Sequence, residues 1–218
     1  MNGHDIYLAD DWILLRDLEP AAIWRLTAAA DTQVEWQEIV PGIDSLALKY
    51  DPLVLDLEAA RMLAVQLYDR ADTVTPQLAK PITLSICYDL QFGPDQALVA
   101  THLGIEIADL PDWHMAQDYH VAMLGFLPGF AYLQSAAEIV DIPRLDAPRA
   151  CIAAGSVGLL GQQCGLYPVE GPGGWPVIGR IAASLFDTGK TPPALLSPGQ
   201  KVSFRAISRA EFNALDAP

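Results

Sequence analysis

"CGLYPVEGPGGWPVIGR", running from Cys164 to Arg180, decides how this chain is read. It sets five glycines and three prolines around Tyr167, Trp175 and Arg180. Glycine opens backbone angles closed to other residues and lets another group approach the main chain closely. Proline fixes φ and withholds a donor. No regular helix runs through such a stretch. It is at most a strand interrupted by shaped loops, and shaped loops on a rigid frame carry function.

The segments around it have the same character. After Phe126 the chain is a series of short β-like runs between Pro/Gly turns: APRACIAAGSVGLLG, the quoted stretch, and PGQKVSF. Many short strands at close spacing predict a barrel or sandwich. Upstream, PITLSICYD alternates, with Ile82, Leu84, Ile86 and Tyr88 on one face. GPDQALVATHLG reads as a short helix, with Pro94 at its first position, Asp95 at the positive end and Gly104 just past its C-terminus. DYHVAMLGF is a further strand, and ISRAEFNAL closes with a short helix.

The first eighty residues read differently. IYLADDWILLRD gives strands around an Asp-Asp turn, and EPAAIWRLTAAA a helix with Pro20 in its first turn. TQVEWQEIV and DSLALKY are strands joined through Pro41-Gly42. DLEAARMLAVQLYDR is an amphipathic helix capped by Asp56, with Ala60, Leu63, Ala64 and Leu67 as its apolar stripe. DTVTPQLAKP looks like a linker. The expected organisation is α+β: a small α/β sandwich over residues 1–80, then a β-barrel domain over 81–218.

Composition bounds the function. The 218 residues carry 13 Lys+Arg against 27 Asp+Glu, a formal charge of −14. That excludes the basic face a nucleic-acid binder needs and disfavours an anionic membrane surface. Cys87, Cys151 and Cys164 are odd in number and form no C-x-x-C, as expected of buried thiols in a reducing cytoplasm. The N-terminus has neither a basic region nor an apolar run, so no signal peptide is expected. VAMLGFLPGFAYL is too short to span a membrane and is broken by Gly125, Pro128 and Gly129. The histidines (His4, His102, His114, His120) are dispersed, so no metal site is expected.

Three loop signals remain. GFLPGFAYL, with Phe126, Pro128, Gly129 and Phe130, is either an aromatic-walled loop over a pocket or a barrel corner with both phenylalanines in the core. PRLDAPRACIAAGSVGLLG brings Arg144 and Arg149 into a Gly-rich segment after a stretch, Pro81 to Pro143, that has no Lys or Arg. The two arginines are either a carboxylate or phosphate clamp, since guanidinium offers forked donors, or surface ion pairs of small worth. Ser156 presents a hydroxyl or backbone amides to an anion, with no base placed by sequence to make it a nucleophile. The third signal is the quoted stretch. Tyr167 and Trp175 would wall a pocket, Gly173 and Gly174 would admit close backbone approach, and Arg180 would bring charge to the same place.

These signals, in this order, resemble a family that includes the B-type subunit of 5-oxoprolinase, allophanate hydrolase subunit 1 and a sporulation-kinase inhibitor. The resemblance rests on FGPD (Phe92 to Asp95), LGFLPGFAYL, PRLDAPR, AAGSVGLLG, GLYP, PGGWPVIGR, LFD and PPALLSPGQKVSF. It implies a cyclophilin-like barrel akin to the carboxyltransferase domain of urea carboxylase. It implies a larger, C-type partner with a similar barrel, a third 5-oxoprolinase component, and ATP used by the assembled enzyme, with no biotin on this chain. The reaction implied is opening of 5-oxoproline, a small lactam, to glutamate. A histidine-kinase inhibitor and an allophanate- or urea-type subunit are the alternatives. His114 falls where the family carries a histidine before a barrel strand; it is either an acid/base or structural. With Arg180 it forms the catalytic expectation. Cys164, Gly171 and Ile181 stand where the family has Thr, Ser and Thr, and each is expected to remove a hydroxyl near the pocket.

Overall fold

The computed structural model describes residues 6–135 and 141–215. Contacts gather the chain into two units, Met1–Leu78 and Ala79–Pro218. In the first, β1 (Ile6–Ala9) and β2 (Trp12–Leu15) form a hairpin. Its turn places Asp10 at φ 49°, a region Asp tolerates better than most residues. α1 (Pro20–Ala30) begins on a proline, whose missing N–H would have had no partner in the first turn. β3 (Trp36–Pro41) and β4 (Leu46–Tyr50) complete an antiparallel sheet of order β1-β2-β4-β3. α2 (Leu57–Ala71) is capped by Asp56, whose carboxylate accepts from the Ala59 N–H at 2.8 Å. Ile23, Leu26, Ala60, Ala64 and Leu67 from the helices close on Ile13, Leu15, Leu46 and Leu48 from the sheet.

The second unit opens with β5 (Ile82–Cys87), α3 (Gln96–Leu103), a 3-10 turn, and the short α4 (Leu110–Met115), which the sequence reading missed. Then come β6 (Tyr119–Leu124), β7 (Ala131–Ser135), β8 (Arg149–Ile152), β9 (Ser156–Leu160), β10 (Gln163–Leu166), β11 (Gly171–Gly173), β12 (Val177–Ile181), β13 (Lys201–Ala206) and α5 (Arg209–Leu215). Seven strands close a barrel in the order β10-β7-β6-β13-β5-β12-β9. β13 pairs in parallel with β5, Val202 opposite Ile82 through Ala206 opposite Ile86, so the end of the unit locks against its beginning. β8 and β11 stand apart as a two-stranded ribbon. APRACIAAGSVGLLG, read as one β-like run, is split into β8 and β9 by Gly155 at φ +80°, with the main chain of Ile181 beneath it.

Strand alternation fills the barrel. Leu84, Ile86, Val121, Leu133, Val157, Leu159, Leu166, Val202 and Phe204 point inward. β12 departs from strict alternation: its register with β9 shifts between Val177 and Gly179. A bulge of this kind re-aims side chains. Ile178 and Ile181 therefore both enter the barrel core.

Candidate functional site

The outward positions of β9, β10 and β7 set up the site. On β9, Val157 and Leu159 face the barrel core, while Gly158 lies beneath Trp175. Gly158 pairs with Gly165 of β10, and Gly165 with Tyr132 of β7. Two facing glycines leave a bare patch on the barrel wall. The Trp175 indole lies on it so closely that a Cβ at Gly165 would sit 2.7 Å from the ring and 2.9 Å from Phe130. The glycines of the quoted stretch thus serve close approach of aromatic rings to backbone.

Over this patch sits an aromatic cage. Phe130 meets Tyr167 edge to face at 5.0 Å and Tyr132 at 4.7 Å; Tyr132 meets Trp175 at 5.8 Å. Pairs of this kind contribute about 0.5–1.5 kcal/mol each beyond area burial, so the cage is ordered in advance of any ligand. It encloses a cavity of about 260 Å³, completed by Gln163, Arg144, Gly173 and Gly174. Phe126, 62% exposed and held at φ +69°, stands at its rim, edge-on to Phe130 at 5.4 Å. So Phe130 is buried as the barrel-corner reading has it, while Phe126 is not; the two serve one pocket. Pro128 and Gly129 do not line it. Gly129 shapes the turn at φ +83°, packed against Phe186.

Arg144 is held over the cavity by its backbone. The Leu145 N–H donates to the Gly174 carbonyl at 2.9 Å, and Ile142 and Gly161 exchange hydrogen bonds. Its aliphatic stem lies along Gly174, where a Cβ would come within 3.3 Å. The guanidinium makes no ion pair or side-chain hydrogen bond among the described residues. Burial raises the Tyr132 and Tyr167 hydroxyls above the usual range, against a lowering by Arg144 at Tyr132 and by the Trp175 backbone and then Arg144 at Tyr167, so both stay protonated near neutrality. Tyr132 and Gln163 are the site residues that sequence reasoning missed. Both occupy ordinary strand positions, and only the pairing of β7 with β10 brings them to the cavity.

A second cavity, of about 280 Å³, takes Arg149, Ser156 and Arg180. Arg149 grips Asp95 with both arms of its fork, at 2.6 and 2.7 Å. Asp95 also accepts from the Val177 N–H at 2.7 Å. At the N-terminus of α3, where the sequence places it as a charge at the positive end, its carboxylate makes no side-chain cap and is instead bound by Arg149 and Val177. The hydrogen bonds to Asp95 raise the Arg149 guanidinium further, against desolvation. Arg144 and Arg149 therefore serve separate cavities. Arg180 also lines the second cavity rather than joining Tyr167 and Trp175: the β12 bulge turns it outward, and its pairing sets it opposite Ser156. Its Nε donates to the Ala154 carbonyl at 2.6 Å, and its guanidinium lies over Phe92 and Phe212.

His114 lies in neither cavity. It is fully buried, its Nδ1 in a 2.7 Å hydrogen bond with the Tyr88 hydroxyl and its Nε2 3.6 Å from Cys164 Sγ. Burial lowers its pKa to about 3. Its surroundings are those of a structural histidine. Cys164 and Ile181 likewise point into the barrel core, so the hydroxyls expected there would have met the core and not a cavity; Gly171 is on the ribbon. Cys87 and Cys164 are buried as expected, whereas Cys151 is exposed on β8. Among the described residues no three His, Cys, Asp or Glu side chains gather as metal ligands, and no helix is long and apolar enough to cross a membrane.

The chain is similar to known proteins in sequence and in fold. Residues 15–196 match the family described as carboxyltransferase domain, subdomain C and D. The chain is 35% identical over 206 residues to the B subunit of 5-oxoprolinase from Escherichia coli O157:H7, covering 91% of this chain and 94% of that one. Among solved structures it superposes on TTHA0988 with a TM-score of 0.74 at 28% identity, over 90% of this chain but 40% of that one. It superposes on the urea amidolyase of K. lactis with a TM-score of 0.74 at 17% identity, over 96% of this chain and 15% of that one, a likeness of fold.

Proposed function

The chain belongs to the carboxyltransferase subdomain C and D family, and from that membership we propose that it is the B-type subunit of a 5-oxoprolinase-type enzyme that binds the lactam in its aromatic cavity. Relatives from three bacteria are named as the B subunit of 5-oxoprolinase. One observation carries the assignment of the site: an uncommitted guanidinium, Arg144, whose backbone is anchored beside a cage of aromatic rings. 5-Oxoproline is a small flat ring bearing one carboxylate and one amide. The carboxylate suits the forked donors of Arg144. The Gln163 side chain offers a donor and an acceptor to match the lactam carbonyl and N–H, and the Tyr132 hydroxyl offers a further donor. Phe130, Tyr167 and Trp175 exclude water from the ring faces, which strengthens each polar contact.

The chain's part in this reading is to bind and orient. A larger C-type partner with a similar barrel and a third component complete the enzyme. ATP is used by that assembly. Among the described residues lining the two cavities there is no lysine and no glycine-rich helix start of the kind that cradles a triphosphate. The lining does not fit ATP, and no step through it is assigned to this chain. The test is reconstitution with the two other components, followed by ATP-dependent glutamate release from 5-oxoproline. Release that requires this chain supports the reading; an assembled complex with no turnover of 5-oxoproline overturns it.

A further inference from the structure

The second cavity has a different chemistry from the first, and nothing in the lactam reading uses it. Four segments build it: the start of β9, strand β12, the ribbon strand β8 and the loop that precedes α3. Ser156 and Arg180 face each other across the β9–β12 pairing, and Arg149 reaches in from β8. Phe92, Ile152 and Val177 give it apolar walls.

Ser156 is the decisive residue. It is only 4% exposed, and its hydroxyl has no hydrogen-bond partner among the described residues. Its backbone groups are committed, the N–H to Ala153 and the carbonyl to Tyr167. The residue as a whole is buried, but its Oγ keeps access to the cavity, so the hydroxyl is open to a ligand there. The two arginines are held in place before any ligand arrives. Arg149 is forked onto Asp95, and Arg180 is fixed through its Nε and by the rings of Phe92 and Phe212.

We infer that this cavity is a second ligand site, separate from the aromatic cage, for a small monocarboxylate with an apolar tail. The hydroxyl of Ser156 donates to one carboxylate oxygen, the guanidinium groups supply the field that holds the anion, and the tail lies against Phe92, Ile152 and Val177. Arg149 enters already matched by the Asp95 carboxylate. A second negative charge therefore gains little here, which favours a monoanion. That separates a monocarboxylate from phosphate or a dicarboxylate.

The experiment is amide chemical-shift mapping by NMR on the whole chain, titrated in parallel with butyrate, succinate and inorganic phosphate at constant ionic strength. Butyrate is expected to give saturable shifts centred on Arg149, Ser156 and Arg180, and to bind more tightly than either dianion. Ser156→Ala is expected to weaken butyrate about tenfold, the loss of one hydrogen bond to a charged group. Arg144→Ala, in the other cavity, is expected to leave it unchanged. The inference is overturned by tighter phosphate or succinate, by shifts centred on Tyr167 and Trp175, by the absence of saturation, or by unaltered binding in Ser156→Ala. The rank order and shift map of the unsubstituted chain decide the matter even if Ser156→Ala folds poorly. None of these readouts involves 5-oxoproline turnover, so failure here is distinct from failure of the lactam reading.

Discussion

Burial takes His114 out of the physiological titration range, and that has a measurable consequence. Its pKa is lowered to about 3 in the folded protein, against about 6.5 for an unfolded histidine. Below pH 6.5 the unfolded chain takes up a proton here that the native protein refuses. Its contribution to stability is therefore complete above that pH and is lost as pH falls toward 3. The slope is about 1.4 kcal/mol per pH unit within the window. His114→Gln keeps a polar side chain beside Tyr88 but does not titrate. Urea-unfolding free energies between pH 6 and 4.5 are expected to fall more steeply in the unsubstituted protein than in His114→Gln, by about that slope. Parallel curves would show that His114 is solvated. Arg180 also has a structural share. Its Nε anchors the Ala154 carbonyl and its guanidinium covers Phe212, so truncating it is expected to lower the melting temperature as well as affect any ligand.

At the level of elements, the β9–β10 pair is where fold and site are the same object. Gly165 has to lack a side chain for the Trp175 indole to lie against the barrel wall, and Gly158 leaves little room beneath the Trp175 Cβ. Gly165→Ala would force a methyl into the indole and Phe130. Overpacking of this kind costs about 1–3 kcal/mol, and the displaced indole should show a red-shifted fluorescence maximum. Unchanged stability and emission would mean that the ring has room. Element types were largely legible in the sequence, because alternation in PITLSICYD and the Asp56 cap are local signals. The identity of the site was only partly legible. Trp175, Tyr167, Phe130 and Arg144 were marked by their Gly/Pro setting. Tyr132 and Gln163 were not, because their roles depend on pairing between strands far apart in the chain, Tyr132 beside Gly165 and Gln134 beside Gln163. Arg180 lines the other cavity because it stands opposite Ser156, a pairing that no local signal announces. Asp95 looked like a helix-end charge, since its partner Arg149 lies 54 residues away.

For the molecule as a whole, the two units carry separate hydrophobic cores, one built from Ile13 to Ala71 and the other from Leu84 to Phe204. No strand or helix crosses Asp72 to Pro81. Limited proteolysis is expected to cut within that segment and leave a folded C-terminal fragment, as cooperative unfolding of the fragment would show. A first cut in GFLPGFAYL, with no fragment surviving, would mean that the barrel does not stand alone. The barrel carries both cavities, so the claim that matters most is that Arg144 over the aromatic cage binds the lactam carboxylate. The direct measurement is kcat/KM for 5-oxoproline in the reconstituted enzyme carrying Arg144→Ala. Arg144 is exposed and takes no part in either core, so melting temperature should be unchanged. Removing the charged partner of a bound anion costs about 2–5 kcal/mol, so kcat/KM is expected to fall roughly 30-fold or more, with only partial recovery in Arg144→Lys because the fork is lost. Near-normal turnover in a folded Arg144→Ala enzyme would contradict the account.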